Sequence, residues 1–255
     1  MTNEFKGKVF IVTGASSGIG KATAIMAVER GAKVSFIARR EKELKTLTSK
    51  LEPSQVEVIA GDATNESDRK RIVERTVARF GGIDALVNAA GIIGNSTIEN
   101  TTLEQWDTMF DIHLRSLFRL TQIALPSIIE RKGNIVNVSS VAGIRSFPNV
   151  LPYCVSKAGV DQFTRCTALE LASKGVRVNA VNPGVVVTNL HRNGGMQEDL
   201  YQKFLENSKN THPIGRVGTA EEVAELILFL ASDKAGWITG GSFSIDGGRA
   251  QTCAR

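Results

Sequence analysis

Tyr153 follows Ser140 by thirteen residues and precedes Lys157 by four, in the run Y-C-V-S-K. Near the start of the chain, T-G-A-S-S-G-I-G occupies positions 13–20. A phenol can pass a proton, but its reference pKa of about 10 makes it a poor acid or base at neutral pH. A nearby cation stabilises the phenolate and lowers that value. Four residues apart on a helix, Tyr153 and Lys157 share one face, about a turn from each other. Ser140 can hydrogen-bond a carbonyl or alcohol oxygen and hold it for reaction. Tyr153 then acts as general acid in reduction or general base in oxidation. Joined to a phosphate-cradling turn, this set points to hydride transfer on an alcohol or carbonyl.

The elements that must position these groups alternate along the chain. Apolar, β-branched runs at 9–12, 34–38, 56–60, 85–87, 135–138, 176–181 and 243–245 predict seven strands. Helical patterns at 19–30, 41–51, 68–80, 103–131 and 153–174 lie between them. Strands that are apolar almost throughout imply a sheet covered on both faces. Repeated β-α units imply an α/β, doubly wound, seven-stranded parallel sheet of Rossmann type with right-handed crossovers. No linker or shift of composition divides the chain, so residues 1–255 are expected to form one domain. The stretches 94–102, 141–152 and 188–217 are irregular, the last holding Gly194-Gly195 and a short helical pattern at 197–207. Loops beyond the carboxyl ends of such strands line the ligand crevice, and 188–217 is expected to be a substrate lid.

Gly14, Gly18 and Gly20 follow the first strand and open the first helix. Glycine lets the backbone approach a pyrophosphate, and the helix start offers it unpaired N–H groups. At the end of the second strand, a cofactor without the 2′-phosphate would call for an acidic residue. This chain instead reads Ala38-Arg39-Arg40, and two guanidiniums can pair with a phosphate. NADPH is the expected cofactor and NAD the less favoured one.

The ordered motifs resemble the short-chain dehydrogenase/reductase family, in its compact one-domain branch with ketoacyl reductase-like members. The likeness runs from the glycine turn through Asn88-Ala89-Ala90-Gly91, Ser140, Tyr153 with Lys157 and Pro183-Gly184 to His212-Pro213-Ile214-Gly215-Arg216 and Asp246-Gly247-Gly248. It implies cofactor contacts from Ser16, Ser17 and Ile19 in the turn. Asp62 and Ala63 would flank the adenine, and Asn88 to Gly91 would line the channel. Lys157 would hold the ribose, and Pro183, Gly184, Val186 and Thr188 would meet the nicotinamide end. The spacing to Tyr153 favours Ser140 over Ser139 by the same resemblance.

One position departs from the family pattern. Where asparagine commonly supports a bend in the helix and a water relay to the lysine, this chain has His113. Imidazole can donate, accept and titrate. It either substitutes in the relay, packs as a neutral side chain, or impairs turnover.

The substrate pocket is expected from 93–96, 144–151 and the lid. Phe147, Leu151, Leu190, Met196 and Phe204 would form an apolar wall, and Arg145, His191 and Arg192 would meet an anion or face water. Cys154, Trp106 and Trp237 read as packing residues. Cys154, Cys166 and Cys253 lack metal or redox spacing and read as free thiols in a reducing compartment. The start carries no apolar signal core, and no run approaches the ~18 apolar residues of a membrane span, so a cytoplasmic enzyme is expected. The formal charge of +5 is spread over 31 basic and 26 acidic residues without a basic stripe, which disfavours a nucleic-acid partner. Resemblance implies a homotetramer, or a dimer, joined through the long helices. The competing readings are NAD-dependent alcohol oxidation and a nucleotide-bound sensor or scaffold with little turnover.

Overall fold

Successive residues of the central strands feed two separate cores. In β1 (Val9–Thr13), Phe10 and Val12 face one side of the sheet and Ile11 the other; in β5 (Asn134–Val138), Val136 and Ile135 divide the same way. This is the period-two alternation of a strand, here apolar on both sides because helices cover both faces. The computed structural model describes residues 3–252, so Cys253 lies outside the described residues.

The remaining strands are β2 (Lys33–Ala38), β3 (Val56–Ala60), β4 (Ala85–Asn88), β6 (Arg177–Pro183) and β7 (Ser242–Ile245). All seven pair in parallel, in the order β3-β2-β1-β4-β5-β6-β7. One face packs against α1 (Gly18–Glu29), α2 (Glu41–Thr48) and α9 (Ala220–Ala231). The other packs against α3 (Glu66–Phe80), α5 (Ser116–Glu130) and α6 (Leu151–Ala172). Ile11 and Leu86 are fully buried at the centre of that second core. Truncating either to alanine is expected to cost about 2–5 kcal/mol.

Strand order reverses between β1 and β4, and the crevice beyond their carboxyl ends is where such a sheet accepts ligands. The long helical pattern at 103–131 is not one helix. It comprises α4 (Leu103–Phe110), a π-helical turn at Asp111–Arg115 centred on His113, and α5. Inside the lid stretch lie α7 (Leu190–Asn193) and α8 (Glu198–Thr211), the second at the helical pattern of 197–207. Trp106 stacks on Phe110, with ring centroids 4.4 Å apart. Trp237, expected as a packing residue, is instead fully exposed. It lies in the turn that follows α9, where none of the described residues covers the indole.

Candidate active site

Thr13 joins the two strands at the reversal. Its Oγ1 accepts from the N–H groups of Ala89 (3.0 Å) and Ala90 (3.1 Å), and it donates to the Val87 carbonyl at 3.4 Å. Gly14 follows with φ +68°, and a Cβ there would sit 2.8 Å from the Ala89 carbonyl oxygen. A Cβ on Gly20 would lie 2.5 Å from the Gly14 carbonyl oxygen. The turn therefore closes only with glycine, against both β4 and α1. At Ser17, the N-cap of α1, no side chain bonds the first backbone N–H groups. By contrast, Asn65, Thr102 and Thr219 cap α3, α4 and α9. The uncapped start of α1 leaves donors and a positive dipole end for an anion.

These residues form one end of a cavity of about 1090 Å³. Ser16, Ser17, Gly18, Ile19 and Gly20 line it, with Arg39, Arg40, Asp62 and Ala63 at its edge. Arg40 donates to Ser16 Oγ at 3.3 Å and stands 3.6 Å from Glu43, while both arginines remain exposed. Asp62 Oδ1 accepts from the Thr64 N–H and hydroxyl at 2.9 and 2.8 Å. Ala89, Ala90 and Gly91 continue the wall towards Ser140, Tyr153 and Lys157, and Pro183, Gly184, Val186 and Thr188 close the opposite side. The glycine turn and the bare helix start fit the pyrophosphate of a dinucleotide.

Asn88 lies behind this wall. Its Nδ2 donates to Asn137 Oδ1 (2.9 Å), and Asn137 Nδ2 donates to Thr164 Oγ1 (2.9 Å). With Thr13, His113 and Lys157, Asn88 borders a small space of about 10 Å³, roughly the room of one water molecule.

Ser140, Tyr153 and Lys157 converge on the cavity from β5 and α6. Ser140 caps a short turn, its Oγ accepting from the Ala142 N–H at 3.1 Å. Its carbonyl accepts from Asn182 Nδ2 at 2.9 Å, and the same amide reaches the Asp161 carboxylate at 2.9 Å. Ser139 Oγ donates to the Lys157 carbonyl at 3.1 Å. The strand end and the helix are thus locked together by Asn182, Asp161 and Ser139, which sequence spacing did not single out.

Burial raises the Tyr153 pKa, with the Ser140 hydroxyl acting the other way. Burial also pulls the Lys157 ammonium down to about 8, partly opposed by Asp161. The ammonium donates to the Val138 carbonyl at 2.9 Å and stands 5.7 Å from the Tyr153 ring centroid. Desolvation sets the direction at the phenol and Ser140 is what opposes it, contrary to the lowering by Lys157 expected from their spacing.

His113 is buried, with both ring nitrogens engaged. Nε2 accepts from the Ile92 N–H at 3.1 Å, and Nδ1 lies 2.8 Å from Ser156 Oγ. Ser156 in turn donates to the Tyr153 carbonyl at 2.8 Å. Since Ser156 spends its proton there, the pattern fits neutral imidazole with hydrogen on Nδ1. Burial and then the Lys157 charge hold the His113 pKa well below its usual value, despite the Ile92 bond. The imidazole bridges the loop after β4 to the catalytic helix. Ser156, i+3 from Tyr153 within Y-C-V-S-K, was visible as a residue but not as a bridge.

At the far end, Ile93, Phe147, Leu190, Met196 and Phe204 line the cavity, with His191 among them. Leu151 does not; it opens α6, where its N–H bonds the Ser96 carbonyl at 3.2 Å. Arg192 is held by Glu198 (2.6 and 2.8 Å) and lies over the Tyr201 ring. Arg145 donates to the carbonyls of Arg249 and Ala250, each at 3.2 Å, and to that of Thr252. Arg249, beside the D-G-G run, does line the cavity.

A family model described as enoyl-(acyl carrier protein) reductase matches residues 14–250. The chain is 41% identical over 246 residues to a 3-oxoacyl-[acyl-carrier-protein] reductase FabG from Thermotoga maritima, covering 95% of this chain and 98% of that protein. It is 36% identical over 250 residues to an L-xylulose reductase from Caenorhabditis elegans, covering 96% of each. A crystal structure of a short-chain dehydrogenase/reductase of unknown function from Caenorhabditis elegans, with cofactor, superposes with a TM-score of 0.94. It is 35% identical, and the match covers 98% of both chains. The chain belongs to the short-chain dehydrogenase/reductase family. It is accordingly an oxidoreductase of hydride-transfer type. Among the described residues no helix is long and apolar enough to cross a membrane.

Proposed function

We propose that this chain is an NADPH-dependent reductase acting on a ketone/secondary alcohol couple, with Tyr153 as general acid. The observation that carries this reading is the single cavity shared by the phosphate-accepting turn, the arginine pair and Ser140, Tyr153 and Lys157. Bound there, the reduced nicotinamide supplies a hydride to the carbonyl carbon. Ser140 Oγ donates a hydrogen bond to the substrate oxygen, and the Tyr153 hydroxyl gives that oxygen its proton. Lys157 stabilises the phenolate that results. His113 keeps the helix and the loop after β4 in register while remaining neutral. The names of the two reductase relatives support the carbonyl-reducing direction.

Arg39 and Arg40 support NADPH over NADH, since β2 ends Ala38-Arg39-Arg40 without an acidic residue at that point. A homotetramer belongs to the same reading. Phe118 on α5 and Leu169 on α6 are exposed apolar residues on the long helices, and Trp237 offers a second apolar contact beyond α9. Cys154 and Cys166 are free, in keeping with a reducing, cytosolic location. Residues 188–217 serve as the substrate lid, folded onto itself by the Tyr201 hydroxyl, which donates to the Thr188 carbonyl at 2.9 Å.

Titration with NADPH and NADH separately, followed by a carbonyl panel, tests the reading. Tight NADPH binding and ketone-dependent oxidation of the nucleotide are expected. Equal affinities would redirect it to NAD-linked alcohol oxidation, and nucleotide binding without turnover would favour a sensor.

A further inference from the structure

Two segments, the 145–147 loop and the turn at 246–250, fix the position of one half-buried guanidinium at the substrate end. Arg249 lies over the Phe147 ring, 4.8 Å from its centroid. Phe147 itself packs in the apolar cluster that contains Tyr153, Ile93 and Val150. The short turn that presents Arg249 is clamped from two sides. Asp246 accepts from the N–H groups of Gly248 (2.9 Å) and Ala250 (2.7 Å), and Arg145 donates to the carbonyls that follow. Both carboxylate oxygens of Asp246 are therefore already engaged by backbone.

Among the described residues, no carboxylate lies within ion-pair distance of the Arg249 side chain, and that side chain makes no hydrogen bond. The charged and titratable groups that it feels are Arg145, Asp246, His191 and His212. Arg145 and burial disfavour its charge, Asp246 favours it, and both histidines are shifted towards the neutral form. Guanidinium stays protonated regardless. A cation held on an aromatic face in a partly desolvated wall, with no ion-pair partner among the described residues, is a cost the fold carries unless a ligand offsets it.

We infer that Arg249 selects substrates: the ketone carries an anionic group, carboxylate or phosphate, remote from the reacting carbon, and Arg249 binds it while Phe147 packs the intervening chain. This rests on the proposed carbonyl reduction. Hydride and proton transfer proceed as above, and the anion undergoes no chemistry. Arg145 and Asp246 are positioning residues that hold the turn.

The test compares charged and neutral ketone pairs, levulinate against its methyl ester and hydroxyacetone phosphate ester against hydroxyacetone, in the native chain and in Arg249→Gln and Arg249→Lys. The native enzyme should favour the anionic member of one pair, identifying carboxylate or phosphate as the source. Arg249→Gln should lower kcat/KM for that member by roughly 10- to 100-fold, mainly through KM, with the neutral member changed little. Arg249→Lys should restore part of the loss. Equal losses on both members, or none, would overturn the assignment. A second arm measures binding of the same anions by calorimetry to Tyr153→Phe, with and without NADP+, with Arg249 intact or replaced by Gln. Arg249-dependent binding without turnover in the native chain would preserve the anion site and refute ketone reduction. Absence of anion binding to the Arg249-intact chain would overturn the anion site, even if neutral ketones are reduced.

Discussion

The two ends of the cavity are built from different material. At the glycine turn, the wall is backbone: a left-handed Gly14, N–H groups of an uncapped helix, and a Thr13 hydroxyl bracing two strands. At the far end it is side chain: Phe147, Leu190, Met196, Phe204 and Arg249, drawn from segments up to a hundred residues apart (147 to 249). A pyrophosphate is the same for every reaction and can be met by main chain. A substrate varies, and only side chains on loops can vary with it.

The largest expected effect lies where the two ends meet. Tyr153→Phe should reduce kcat by about 10²–10⁴-fold while leaving NADPH affinity nearly unchanged, as steady-state rates and fluorescence titration would register. A parallel loss of nucleotide binding would mean that the two ends are not separable.

Replacing Arg39 and Arg40 together with alanine should raise the NADPH dissociation constant about tenfold and leave NADH unaffected. Both side chains are exposed, so the gap should narrow as salt is added. An unchanged preference would remove the arginines from the phosphate site.

Lys157→Met bears on stability. The folded pKa of about 8 lies below the reference value of 10.5, so between them the unfolded chain binds more protons. Native stability should therefore rise with pH across about 8 to 10.5, by on the order of 3 kcal/mol from this group. The methionine variant should lack that increment in denaturant titrations of the nucleotide-free protein. An identical slope in both proteins would place the ammonium in a better-solvated setting.

His113→Asn should do least. With both nitrogens engaged and the ring neutral, turnover should persist with the same pH profile. Losing one buried hydrogen bond should cost about 1 kcal/mol. Its depressed pKa makes the unfolded state the better proton acceptor, so native stability should fall as pH drops through 6.5, and asparagine should remove that component. An acidic limb in native turnover that vanishes in the variant would return His113 to the proton relay.

The same division explains what could be read from the chain. The seven strands and their parallel order were legible because β-α alternation and two-sided apolar runs admit few topologies. The spacing of Gly14, Gly18 and Gly20, and of Ser140, Tyr153 and Lys157, is local or falls at element ends, and the fold brings these groups to one cavity. Arg145 and Arg192 were plausible anion ligands by type, but a carbonyl cluster and Glu198 occupy them. Arg249 carried no signal because its exposure to the cavity depends on a turn clamped from residue 145. The His113–Ser156 bridge was hidden for a similar reason: it requires the π-helical turn, which apolar periodicity alone does not reveal.

That turn, at Asp111–Arg115, also acts as a phase shifter. An α-helix rotates each side chain by about 100° from the last, and a π turn inserts one residue into the count. Ahead of it, Met109 and Phe110 point into the cluster around Tyr153; behind it, Leu120, Ala124 and Ile128 point into the core under the sheet. One continuous rod could not keep both faces aligned. Chain length through this segment is thus a stricter requirement than the identity of its exposed side chains. Deleting a single residue there would rotate Met109 and Phe110 away from the cluster around Tyr153, even with every functional side chain still present.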